Sequence, residues 1–160
     1  MTATATGTVT ADGVRFERLY DATPSELWNA ITDPEQIAGW LAHTTRWSLA
    51  PGEEWSIRFD DGAAGGRVVA VDDGRVLELT WVEQETESLL RFEIVPRDAG
   101  CLLILEHSRL DATSRPGFGA GWQSHLEALD RLLHGGEEFD WWERYRELRP
   151  AYEELATSVR

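Results

Sequence analysis

One amphipathic stretch constrains the fold more than any other feature. Residues 121–133, Gly-Trp-Gln-Ser-His-Leu-Glu-Ala-Leu-Asp-Arg-Leu-Leu, come after a long run of alternating, strand-like segments. On a helix of 3.6 residues per turn, Trp122, His125, Leu126, Leu129, Leu132 and Leu133 fall on one side. A long helix with one apolar side, arriving after a set of strands, hides that side most simply by lying across the sheet. Such an arrangement can leave a cavity between helix and sheet.

The strands that precede the helix are marked by period-two alternation and by turn residues. Val9–Tyr20 reads as a first strand, with Val14, Phe16 and Arg18 on one parity. Thr23-Pro24-Ser25-Glu26 then starts a helix, Thr23 capping, Pro24 in the first turn and Glu26 closing a capping box. Asp33-Pro34-Glu35-Gln36 restarts a second short helix that ends near Gly39-Trp40. From Thr44 to Arg109 the chain alternates: Trp55, Ile57 and Phe59; Arg67–Val71; Leu77, Leu79 and Trp81; Leu90, Phe92 and Ile94; Cys101, Leu103, Leu105 and His107. Turns are expected at Asp61-Gly62, Asp72-Asp73-Gly74 and Arg97-Asp98-Ala99-Gly100, and Asp-Gly between alternating runs signals a hairpin. Gly62-Ala-Ala-Gly-Gly66 reads as a flexible hairpin. The expected fold class is therefore α+β: a helix-grip fold in which an antiparallel meander grips a long C-terminal helix, with two short helices after the first strand.

Ala112–Gly119 reads as a Pro/Gly/Ser loop before the long helix, and Gly135-Gly136 as its end. Asp140 and Glu143 cap a further helix whose Trp141, Tyr145, Leu148, Tyr152 and Leu155 recur at spacings of four and three residues. Pro150 is expected to divide that helix into two pieces. The aromatic stripe should dock on its own domain, or meet a second copy or another protein through Trp141, Tyr145 and Leu148.

The chain of 160 residues fits one domain. Hydrophobic residues at 42% and charged residues at 28% are ordinary for a globular protein, so disorder is expected only in the small, polar start, Met1–Thr8. The net charge of −14 repels phosphate backbones and anionic bilayers, so neither nucleic acid nor membrane is an expected partner. One cysteine, Cys101, excludes an internal disulfide. With no signal peptide and no long apolar run, a cytoplasmic location is expected.

The motifs Asp21–Glu35, Gly39-Trp40, Gly66–Val71, Leu79-Thr-Trp81, Leu105–Leu110 and Gly121-Trp122 resemble those of the START-like (SRPBCC, Bet-v-type) superfamily. Within it they resemble the family named for homologues of the activator of heat-shock-protein-90 ATPase. The resemblance covers about residues 12–134. It implies a START-like domain over 9–136, followed by a C-terminal aromatic helical extension over 137–160. The superfamily includes lipid carriers, cyclases, receptors and chaperone activators, so the resemblance alone does not choose among them.

Reactive signatures are sparse. His43, His107, His125 and His134 match no zinc spacing, and no phosphate loop or nucleophile elbow is present, so neither metal nor cofactor is expected. The paired acids Glu53/Glu54, Asp60/Asp61 and Asp72/Asp73 sit in or beside turns, where solvated carboxylates are common. Trp40, Leu79, Trp81, Leu105, His107, Trp122 and His125 are expected to line the cavity. Aromatic walls with few polar groups suit a small hydrophobic molecule. The first expectation is therefore a binding protein for such a molecule. The alternatives are an enzyme of cyclase or hydrolase type using His107 or His125, and a chaperone-assisting or protein-interaction module.

Overall fold

The computed structural model describes residues 3–159, so Met1, Thr2 and Arg160 lie outside the described residues. Among the described residues, eight strands form one antiparallel sheet. They are β1 (Thr8–Val9), β2 (Val14–Tyr20), β3 (His43–Trp47), β4 (Glu54–Phe59), β5 (Gly62–Asp72), β6 (Val76–Glu83), β7 (Thr86–Arg97) and β8 (Gly100–Ser108). Their order is β1-β2-β8-β7-β6-β5-β4-β3, so the meander from β3 to β8 is joined at its far side by the first hairpin. The helices are α1 (Pro24–Thr32), α2 (Pro34–Ile37), α3 (Arg115–His134) and α4 (Trp141–Thr157). The fold is a helix-grip α+β fold, as the alternation and the closing helix predict.

Alternation decides which face is buried. Phe16, Ile57, Leu79, Phe92 and Leu105 point inward under α3, each no more than 3% exposed. The opposite face carries a row of cross-strand charges. Arg15 pairs with Glu106, and Arg91 with Glu78 at 3.6 Å, on register-matched positions of β2, β8, β7 and β6. Opposite charges at facing positions suit a solvated sheet face. The capping box of α1 forms as expected, the Thr23 side chain accepting from Glu26 N and the Glu26 carboxylate from Thr23 N.

Several expectations change. The first strand is a hairpin: Thr10 N–H donates to Gly13 O at 2.8 Å, and Gly13 runs so close to β8 that a Cβ there would lie 1.9 Å from the His107 carbonyl. The two short helices still follow the expected first strand, whose body is β2. Gly62–Gly66, expected as a flexible hairpin, is the returning arm of the β4–β5 hairpin, the first half of β5, its small residues matched to Phe59–Trp55 of β4, with Ala64 buried. Helix α3 begins at Arg115, well before residue 121, with Pro116 in its first turn. Its glycines permit close packing rather than a loop: a Cβ on Gly119 would meet the Tyr152 ring at 2.4 Å.

Helix α4 runs unbroken through Pro150, whose ring faces solvent. Leu148 and Tyr152, on either side of it, are fully buried, and that burial holds the helix together despite one missing hydrogen bond. Leu155 falls off the buried stripe at 37% exposed. Residues 3–8 are tied down by partners distant in sequence. Thr6 N–H donates to Gln123 Oε1 and Gly7 N–H to the Tyr152 hydroxyl, both at 3.0 Å, and Gln123 Nε2 donates to Thr4 O at 3.1 Å. The Tyr152 hydroxyl in turn donates to Gln123 Oε1 at 2.6 Å. Gln123 and Ser124 are buried because α3 is covered twice, by the sheet on one side and by α4 on another.

Candidate functional site

A cavity of about 860 Å³ opens beside α3. Its walls are the turn after α2, the β4–β5 turn, the end of β6, one side of α3, and the start of α4 with the segment before it. The turn is held from within. Trp40 Nε1–H donates to Ala30 O at 2.8 Å, and the Trp40 carbonyl meets His125 Nδ1 at 3.0 Å. A carbonyl only accepts, so the proton sits on Nδ1 and Nε2 is left as the bare acceptor. Burial pushes the His125 pKa down to about 4, against the opposing pull of the Trp40 carbonyl. The wall histidine is thus neutral near pH 7.

Behind this wall lies a directed chain of hydrogen bonds. Trp122 Nε1–H can only donate, and it meets His107 Nδ1 at 2.9 Å. The neutral imidazole therefore carries its proton on Nε2, which donates to Ser88 Oγ at 2.7 Å. The Ser88 hydroxyl donates onward to Trp81 O at 3.2 Å. Both imidazole nitrogens are occupied, and burial pushes the His107 pKa down to about 3. His107 is a fully satisfied core histidine joining α3 to β6, β7 and β8, with no lone pair left for a substrate.

Aromatic rings dominate the cavity. Trp81 packs at 5.5 Å from Trp122 and 6.4 Å from Phe59, centroid to centroid. Trp141 stacks on Tyr145 at 5.1 Å and approaches His125 at 4.9 Å. Charged groups stand on the same lining: Arg58, Asp60, Asp61, Glu83, Arg131 and Arg149. Burial raises the Glu83 pKa, an interaction with the Trp81 side chain eases it, and the Asp61 charge raises it further. Among the described residues no group of three or more His, Cys, Asp or Glu side chains is arranged to hold a metal ion.

Of the residues expected on the wall, Trp40, Trp81, Trp122 and His125 stand there. Leu79, Leu105 and His107 do not; they belong to the packed core, each at most 2% exposed. The parity is right but the depth is wrong. Leu79 lies two residues, about 6.6 Å of strand, below Trp81. His107 is screened by Phe118 at 4.5 Å and by Trp122. Of the two placements expected for Trp141, Tyr145 and Leu148, the stripe docks on its own domain. Leu148 is fully buried inside the chain, and Trp141 and Tyr145 face the cavity. Phe59 and Phe118 complete the wall. Phe59 ends an alternating strand beside an Asp-Gly turn, a position where a core-parity residue reaches the edge of the sheet. Phe118 lies in the Pro/Gly/Ser stretch 112–119, whose composition masks the start of α3.

A family model described as Activator of Hsp90 ATPase homolog 1-like protein matches residues 21–134, more than half of the chain. No curated protein matches the sequence. Solved structures share the architecture. CalU16 from Micromonospora echinospora is 24% identical with a TM-score of 0.76, over 89% of this chain and 87% of its own. Protein MLL2253 from Mesorhizobium loti is 27% identical with a TM-score of 0.71, over 78% of this chain and 98% of its own. DynU16, from the dynemicin biosynthetic locus, is 23% identical with a TM-score of 0.71 over 77% of this chain; the match spans only 47% of DynU16.

Proposed function

Because the chain belongs to the Activator of Hsp90 ATPase homolog 1-like family, we propose that it binds a small, flat, hydrophobic molecule in the cavity beside α3. The observation that carries this reading is the wall itself. Trp81, Trp122, Phe59, Trp141 and Tyr145 surround a space of about 860 Å³, within the range of small-molecule sites. Such rings offer large, rigid contact area at small entropic cost, and the charged side chains on the same lining can fix orientation. The site is open rather than filled, which favours a ligand over an interaction module. The locked tautomer of His107 favours binding over acid–base chemistry at that residue.

An apolar naphthalene probe should quench tryptophan fluorescence saturably, at one site per chain. Phe59→Ala and Trp141→Ala should each weaken it by about three- to tenfold, the loss expected for one aromatic contact. Quenching that never saturates, or that is unchanged in both variants, contradicts the reading.

A further inference from the structure

The imidazole of His125 is only half used by the fold. Its Nδ1–H donates to the Trp40 carbonyl at 3.0 Å, which fixes the tautomer and leaves Nε2 as a lone-pair acceptor. Among the described residues no hydrogen bond reaches that Nε2. His107, by contrast, has both nitrogens occupied. The side-chain polar atoms that the fold seals from water without a partner are Trp81 Nε1, Trp141 Nε1 and Arg149 Nε, and His125 Nε2 is not one of them. It is therefore open to a water-sized molecule, on a half-buried residue that lines the cavity. Trp141 lies 4.9 Å from the imidazole, Trp122 5.7 Å and Phe59 6.3 Å, centroid to centroid, and all three rings line the same space. An unused acceptor thus stands among aromatic walls, held in place by the turn after α2.

We propose that His125 Nε2 is the specificity-determining acceptor of this site and selects an aromatic ligand that carries a neutral hydroxyl. The ring of such a ligand packs against Phe59, Trp122 and Trp141 while its O–H donates to Nε2. An imidazole nitrogen without a proton can only accept, so it favours phenols over ethers and ketones, which have no proton to give. A site built to hydrogen-bond one ligand group discriminates against the analogue that lacks it, because its own polar atom then goes unpaired. Arginines and carboxylates on the lining nearly balance, and the net charge of −14 disfavours an anion, so the hydroxyl is read in its protonated form. This inference rests on the proposed ligand-binding role, and the test below separates the two.

The experiment compares naphthol with methoxynaphthalene substituted at the same ring position. The two share a ring and an oxygen and differ in the hydroxyl proton. Affinities are measured by fluorescence, and imidazole nitrogens are followed by NMR on protein labelled at histidine with nitrogen-15. Naphthol should bind about three- to tenfold tighter. The bare His125 nitrogen should shift upfield with naphthol alone. His125→Asn keeps an amide N–H for the Trp40 carbonyl but has no acceptor at the Nε2 position, so in that variant the two compounds should bind equally. Equal affinities in the unmodified protein, a preference that persists in His125→Asn, or a preference without a His125 shift overturns the acceptor role and leaves the ligand-binding role standing. If neither compound binds, both readings fail. The affinity and NMR comparisons on the unmodified protein decide the matter even if His125→Asn does not fold.

Discussion

His107 and His125 make the protein's acid response a property of two side chains. Their pKa values in the fold lie near 3 and near 4, below the ordinary value of 6.5. The unfolded chain therefore binds protons that the folded chain refuses as pH falls below about 6.5. Stability is full above that pH and declines on acidification, by up to about 1.4 kcal/mol per pH unit for each histidine. The decline attributable to His125 ends near pH 4 and that of His107 near pH 3. Glu83, raised by burial, acts in the opposite sense: its contribution is present at low pH and fades as pH rises through its folded pKa. Urea denaturation between about pH 4.5 and 6.5 isolates the histidines from most carboxylates. His107→Gln can still accept from Trp122 and donate toward Ser88, so it should flatten this slope by roughly half while lowering stability at pH 7 by about 1–2 kcal/mol. An unchanged slope contradicts the neutral His107 relay.

At the scale of elements, the strands and the capped helices are legible because their signals are local. Alternation, Asp-Gly turns and the Thr23–Glu26 box each operate within a few residues. The errors occur where distant contacts override local chemistry. Glycines at 117 and 119 read as a loop, yet they line a helix whose close neighbour is α4. Residues 3–8 read as loose, yet they are held by Gln123 and Tyr152. Pro150 reads as a break, yet buried side chains on both sides of it carry the helix through. That last point is testable. Pro150→Ala restores a backbone donor at an exposed position and should raise stability by about 1–2 kcal/mol, the helix-interior preference less the entropy lost from a stiffer unfolded chain. Lower stability in thermal or urea unfolding would show that the proline ring is itself needed for the α4 geometry.

For the whole molecule, α4 is both a structural cover and a wall of the site. It buries Leu148 and Tyr152 completely and contributes Trp141, Trp142 and Tyr145 to the cavity. Ending the chain after residue 136 should remove at least two fully buried side chains, worth roughly 1.5–3 kcal/mol each, and expose an apolar strip on α3. The truncated protein should melt lower and self-associate; an unchanged melting temperature in a monodisperse sample contradicts the cover role. The same geometry explains how much of the site is legible. Four of the seven residues expected on the wall are there, because parity and helical phase identify a face. Depth along that face is not encoded in parity, so parity alone places Leu79, Leu105 and His107 one layer too shallow. The contribution of α4 depends on how the chain returns after Gly136, which no local pattern sets. The central claim is that this aromatic cavity, and no other surface, receives a small hydrophobic ligand. Titration of nitrogen-15-labelled protein with ethylnaphthalene, followed by backbone and indole NMR shifts, tests it most directly. The account predicts saturation at one site, with shifts confined to residues around Trp40, Phe59, Trp81, Trp122, His125 and Trp141. Shifts that do not saturate, or that fall instead on the charged outer face around Arg15, Glu106 and Arg91, would contradict it.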